Sequence, residues 1–148
     1  MPANHLQTIE TLLRALEQHD LEPFRQLLSD QAFVYELRPP AVGAANPKLT
    51  DGKANKQQFI EMLGGGTPWK AIKFHEPLRT VVGPSSIYYH CLASGELVTG
   101  APYNNEYIFV LDFDEEGKAT SLLEFVDSAH TLKVFGELAA LAAASGEA

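Results

Sequence analysis

The stretch "YNNEYIFVLDFDEEGKATSLLEFVD", residues 103–127, constrains the fold more than any other part of the chain. Tyr107, Phe109, Leu111 and Phe113 recur at the two-residue period of a strand, while Ile108 and Val110 make the opposite face apolar as well. An acidic turn containing Gly117 leads into a second apolar segment that carries Glu124 and ends on Asp127. A strand that is apolar on both sides needs cover on both. One face therefore belongs to a core or pocket, and the other is left for a partner subunit.

The rest of the chain supplies what such a hairpin can pack against. Leu6, Ile9, Leu12, Leu13 and Leu16 form one apolar stripe at helical spacing. Asp20, Glu22 and Pro23 then mark the start of a second, shorter helix carrying Leu21, Phe24, Leu27 and Leu28. "AFVYEL", residues 32–37, reads as a strand stopped by Pro39-Pro40, and residues 38–55 read as a loop rich in Pro, Gly, Ala and Asn, a candidate lid. Asn55 opens a third helix with Phe59, Met62 and Leu63, closed by the glycines at 64–66. Residues 69–82, 86–98, 103–114 and 118–128 read as successive antiparallel strands, and a terminal helix follows from about His130 with a frayed tail over 142–148. The expected architecture is α+β: a cone-shaped, strongly bent antiparallel sheet wrapped around three N-terminal helices, formed by a single domain over 1–148.

Charge and cysteine content remove several function classes. A formal net charge of -8 with 11 Lys and Arg residues leaves no clustered cations to track phosphates, so neither nucleic acid nor an anionic membrane is expected as a partner. No apolar run approaches the roughly 20 residues of a membrane span, and the N-terminus lacks the pattern of a secretion signal. The lone Cys91 allows no internal disulfide, which fits a cytoplasmic protein. The five histidines, at 5, 19, 75, 90 and 130, show no metal-binding spacing. No nucleophile elbow, phosphate loop or dinucleotide fingerprint is present either, so neither a metal nor a cofactor is expected.

The paired last strands, with their acidic-Gly-Lys turn and closing Glu-x-x-Asp, resemble those of the nuclear transport factor 2-like proteins, a cystatin-like roll. Within that group they resemble the SnoaL-like polyketide cyclases and ketosteroid-isomerase-like proteins. "QHDLEPFRQLLSDQAFVYEL" is similar to the isomerase pattern of an Asp-Leu helix start followed by a strand bearing the general base, which falls on Glu36. The cyclase resemblance puts the acid/base carboxylate on Asp127, and "HCLASG" resembles a His-bearing strand of SnoaL-like proteins, which brings in His90. The isomerase's oxyanion-hole Tyr and protonated Asp fall on Leu12 and near Phe109, so steroid isomerisation is not implied. The strand over 103–114 contains no Arg, which also argues against the epoxide-hydrolase variant of the fold. The resemblance implies a homodimer.

Asp127, Glu36 and His90 are therefore the catalytic candidates, with Tyr35, Trp69, Asn105, Tyr107, Phe109 and Glu124 lining a substrate pocket. A carboxyl group enclosed by an apolar cone has its pKa raised toward neutrality and can both take and give a proton at pH 7. Each candidate also has a purely structural reading. Asp127 at a strand end can cap the helix that follows, Glu36 can pair with Arg38, and His90 can be a hydrogen-bonded core residue. Strand alternation sets Glu124 on the face opposite Asp127. The expected function is cofactor-independent acid/base chemistry, namely isomerisation, cyclisation or dehydration of an apolar carbonyl or a polyketide- or terpenoid-like molecule. The alternative is a non-catalytic ligand-holding or dimerisation module.

Overall fold

The computed structural model describes residues 4–146. In chain order the elements are α1 (His5–Gln18), α2 (Glu22–Leu27), β1 (Val34–Arg38), α3 (Pro40–Ala45), β2 (Lys53–Asn55), α4 (Lys56–Gly64), β3 (Trp69–Phe74), β4 (Arg79–Val82), β5 (Ser86–Leu97), β6 (Pro102–Phe113), β7 (Ala119–Val126) and α5 (Ser128–Ala144). The strands form one curved, unclosed sheet in the order β2-β1-β7-β6-β5-β3, with β4 also paired to β5.

The α+β cone is present, with differences from the sequence reading. The sheet is mixed, because β1 runs parallel to β7 while the other pairings are antiparallel. The expected strand over 69–82 divides at Pro77 into β3 and β4, both of which pair with β5. Residues 38–55 are not an open lid: they fold into α3 and β2, and Val42 is wholly buried. A Cβ on Gly43 would meet the Leu37 carbonyl oxygen at 2.6 Å, so this segment sits directly on β1. Of the expected frayed tail, α5 continues to Ala144, and residues 147–148 lie outside the described residues.

Local sequence accounts for the helix boundaries. Asn55 accepts from the backbone of Gln58 while the Gln58 side chain accepts from the Asn55 backbone, a reciprocal cap that starts α4. Asp20 accepts from the Glu22 backbone N–H and opens α2, with Pro23 in the first turn. α1 turns Ile9, Leu12 and Leu13 onto the concave side of the sheet, where they join Phe74, Tyr89, Tyr107, Phe109 and Leu111. Aromatic contacts hold this core together: Tyr35 stacks on Phe59 at 4.4 Å between ring centroids, and Phe74 meets the edge of Tyr107 at 5.5 Å.

The pairing of β3 with β5 shifts register between Trp69 and Ala71, and Gly95 of β5 lies beside this irregularity. A Cβ at Gly95 would fall 2.0 Å from the Ala71 carbonyl oxygen and 2.9 Å from the Ile72 Cα, both backbone atoms that cannot swing aside. Gly95→Ala is predicted to destabilise the protein by about 1–3 kcal/mol through forced backbone displacement, measurable as a lower midpoint in urea denaturation.

Candidate functional site

Strand alternation decides which side chains meet inside the cone. Along β7 the inner face carries Leu122, Glu124 and Val126, so a carboxyl group sits in an apolar row. Glu124 is opposite Phe109 of β6, and on its other side the parallel strand β1 brings Tyr35 level with Leu122 and Leu37 level with Glu124. This stagger lets the buried Tyr35 hydroxyl donate to Glu124 Oε2. Enclosure raises the Glu124 pKa from its ordinary 4.5 to about 7, and the Tyr35 bond partly counteracts the rise. The residue as a whole is half-buried, and its carboxyl is the enclosed part.

A second group of polar atoms lies along β6, where Tyr103, Asn105 and Tyr107 share the inner face at two-residue spacing. The backbone N–H of Glu106 donates to Asn105 Oδ1 at 2.8 Å, which fixes the amide orientation. The Asn105 Nδ2 then donates to the Tyr103 hydroxyl at 2.8 Å and to Thr131 Oγ1 at 3.1 Å. Tyr103 and Tyr107 bond to each other through their hydroxyls. That bond uses one of the two phenolic hydrogens, whichever residue donates, and leaves the other unused within the pair. Burial raises the pKa of both tyrosines, and the nearby Glu124 carboxyl raises it further, so both stay protonated donors at neutral pH.

The three catalytic candidates from the sequence lie outside this cluster. Asp127 is exposed, and its side chain accepts from the His130 backbone N–H at 3.3 Å as the N-cap of α5. The expectation that it is enclosed by the cone is corrected, because two-residue alternation cannot bury both Glu124 and Asp127, three positions apart. Glu36 follows Tyr35 and therefore points to the outer face, level with Lys53. His90 is also on the outer face, between Arg79 and Ile108 in register, with Nε2 2.7 Å from Glu106 Oε2. By contrast Tyr35, Asn105, Tyr107, Phe109 and Glu124 face inward, and Trp69 meets the rings of Phe74 and Tyr103 there. Sequence reasoning missed Tyr103, which the alternation from Tyr107 would have found. It also missed Thr131 and His130, whose approach depends on how α5 docks.

Two grooves lie away from the carboxyl. One of about 280 Å³ is lined by Glu10, Arg14, Glu76 and Tyr89. The other, about 220 Å³, runs between the ends of α1 and α4 past Leu16, Leu63 and Thr67. Among the described residues, no three His, Cys, Asp or Glu side chains gather as a cation site, and no helix is long and apolar enough to cross a membrane.

These features define an α+β cone protein with a proton-holding carboxyl and a tyrosine pair on its concave face. The fold is that of the nuclear transport factor 2-like superfamily. The pinacolase BvnE from Penicillium brevicompactum matches with a TM-score of 0.73 at 21% identity, over 94% of this chain and 99% of its own. TerC, solved with polyporic acid, matches with a TM-score of 0.73 at 12% identity, over 90% and 99%. IdmH from Streptomyces antibioticus, a candidate polyketide cyclase, matches with a TM-score of 0.70 at 17% identity, over 90% and 99%. At these identities the likeness is one of fold. No protein-family model and no curated protein matches the chain by sequence.

Holding Glu124 inside has a cost that depends on pH. Its folded pKa lies above its unfolded one, so the folded protein is favoured while the group is protonated and loses that advantage as pH rises from about 4.5 through about 7. Glu124→Gln is predicted to be more stable than the parent at about pH 8, by about 1–3 kcal/mol, with the gain shrinking toward zero near pH 5. Paired urea denaturation at the two pH values measures it.

Proposed function

We propose that this protein is a cofactor-independent enzyme that moves protons on an apolar carbonyl compound, with Glu124 as the general acid/base. The supporting observation is a carboxyl group with a pKa of about 7, hydrogen-bonded by Tyr35 in an apolar strand row. As a carboxylate it takes a proton from the carbon beside the substrate carbonyl. The free hydroxyl hydrogen of the Tyr103–Tyr107 pair bonds the oxygen on which negative charge develops. Return of the same proton to another carbon gives an isomer, return after ring closure gives a cyclised product, and loss of hydroxide with it gives a dehydrated one. The names of the fold neighbours, a pinacolase and a candidate polyketide cyclase among them, favour this range of chemistry.

The direct test is hydrogen–deuterium exchange of the carbon-bound protons beside the carbonyl of phenylacetone in heavy water, followed by NMR. We expect catalysed exchange whose rate rises with pH through about 7, as Glu124 becomes the base. Glu124→Gln should slow it by about 100-fold or more. Asp127→Asn should leave the rate within about threefold and the stability little changed, because an Asn side chain caps a helix about as well as Asp. Exchange that survives Glu124→Gln would remove Glu124 as the base, and exchange that is absent in the parent would favour the ligand-holding module instead.

The outer face of the sheet supports a homodimer in the same reading. Tyr88, Ile108 and Phe125 are 53%, 38% and 45% exposed, and cross-strand register sets Ile108 beside Phe125 and Tyr88 beside Val110. Sedimentation at micromolar concentration should give a dimer in the parent and a monomer in Phe125→Glu, with the Glu124 chemistry unchanged per folded chain.

A further inference from the structure

The indole nitrogen of Trp69 and Nε2 of His130 are buried without a hydrogen-bond partner. One opens β3 and the other lies in the first turn of α5, 61 positions later in the chain, yet both rings pack on Tyr103. Trp69 meets it edge-on at 6.0 Å between centroids, and His130 is tilted against it at 5.1 Å. The Trp69 N–H lies close enough to the Tyr103 hydroxyl to act against the rise in its pKa, although no bond of ordinary geometry closes between them. The Tyr103 hydroxyl already receives Asn105 and is bonded to Tyr107.

Leaving a buried donor without an acceptor is unfavourable, and native proteins seldom do so unless a ligand or water completes the bond. Both groups are also held in place. The irregular register beside Gly95 sets Trp69, while the Asp127 cap and the Asn105–Thr131 bond fix the turn that carries His130. An indole N–H only donates, whereas a neutral imidazole offers a bare nitrogen in one of its tautomers. A hydroxyl group is the kind of partner that suits both, since it can accept from an indole N–H and donate to an imidazole nitrogen.

We propose that Trp69 Nε1 and His130 Nε2 form a second polar subsite that binds a hydroxyl group of the substrate, separate from the carbonyl that reacts at Glu124. The inference rests on the Glu124 reading and narrows its substrate class to apolar, ring-sized carbonyl compounds that also bear a free hydroxyl.

Trp69 is the only tryptophan, so its indole N–H gives one identifiable resonance. The intact protein is titrated with acetophenone, para-methoxyacetophenone and para-hydroxyacetophenone while the indole N–H and the Glu124 carboxyl carbon are followed by NMR. All three probes should shift the Glu124 signal, and only the hydroxy probe should move the indole proton downfield. The hydroxy probe should also bind about tenfold or more tightly than the other two, the scale of one or two net hydrogen bonds. That preference should collapse in Trp69→Phe and in His130→Leu. Glu124 shifts with an unmoved indole would identify water as the partner of these groups and overturn the subsite alone. Silence at both positions would overturn the subsite together with the Glu124 reading. A preference retained in both variants would overturn the subsite even if one variant were poorly folded.

Discussion

The hydrogen bond from Tyr35 to Glu124 is the interaction on which the interior depends. An ionised carboxylate in an apolar row would be expelled or neutralised, because removing a charge from water costs far more than one contact returns. The parallel pairing of β1 with β7 supplies the remedy. It staggers Tyr35 and Glu124 so that a phenolic hydroxyl reaches the carboxyl from the neighbouring strand. Tyr35 is itself buried and stacked on Phe59, and burial beside Glu124 keeps its own proton tightly held. The donor therefore cannot become a second anion. The carboxyl is left between its two protonation states near neutrality, the condition a proton carrier needs.

The two faces of β6 and β7 divide the work of the protein. Residues of one parity, Tyr107, Phe109, Leu122 and Glu124, make the core and the polar site, while Ile108, Val110, Leu123 and Phe125 form an apolar sheet surface that the single chain leaves exposed or partly exposed. A one-residue slip in this hairpin would exchange the faces, turning Phe125 inward and Glu124 out into solvent. The turn at Asp114–Lys118 guards against it. Asp114 accepts from the backbone N–H groups of Glu116 and Lys118, and Gly117 takes the positive φ of 80° that the turn requires. The same few residues thus set both core packing and the position of the catalytic candidate.

Much of the fold was legible for this reason. The periods of α1 and β6, the cap at Asn55 and the turn before β7 each have a local physical cause, and each lies where the sequence indicates. The parallel pairing of β1 with β7 was not legible, since it joins segments some 87 positions apart and no local signal specifies it. The site divided along the same line. Alternation placed Glu124 and Asp127 on opposite faces, but the sequence could not say which face was the inside. The resemblance to cyclases favoured Asp127, and the burial of Leu122 and Val126 around Glu124 decides the other way. Glu36 and His90 went outward by the same parity, each one residue from an inward-facing Tyr35 or Cys91.

Asp127 still contributes to the interior, through the helix it starts. Its side chain holds the His130 backbone N–H and its carbonyl receives Thr131, so the first turn of α5 is fixed to the end of β7. That turn brings Thr131 to Asn105 and the His130 ring to Tyr103, linking the helix to the tyrosine pair by one hydrogen bond and one ring contact. Weakening the cap would let this turn fray, and its effect would reach the tyrosine pair before it reached Glu124, which is anchored independently from β1. Position along the chain therefore misleads about placement here: of two carboxylates three residues apart, one is enclosed beside Tyr35 and the other caps the helix that carries Thr131 and His130.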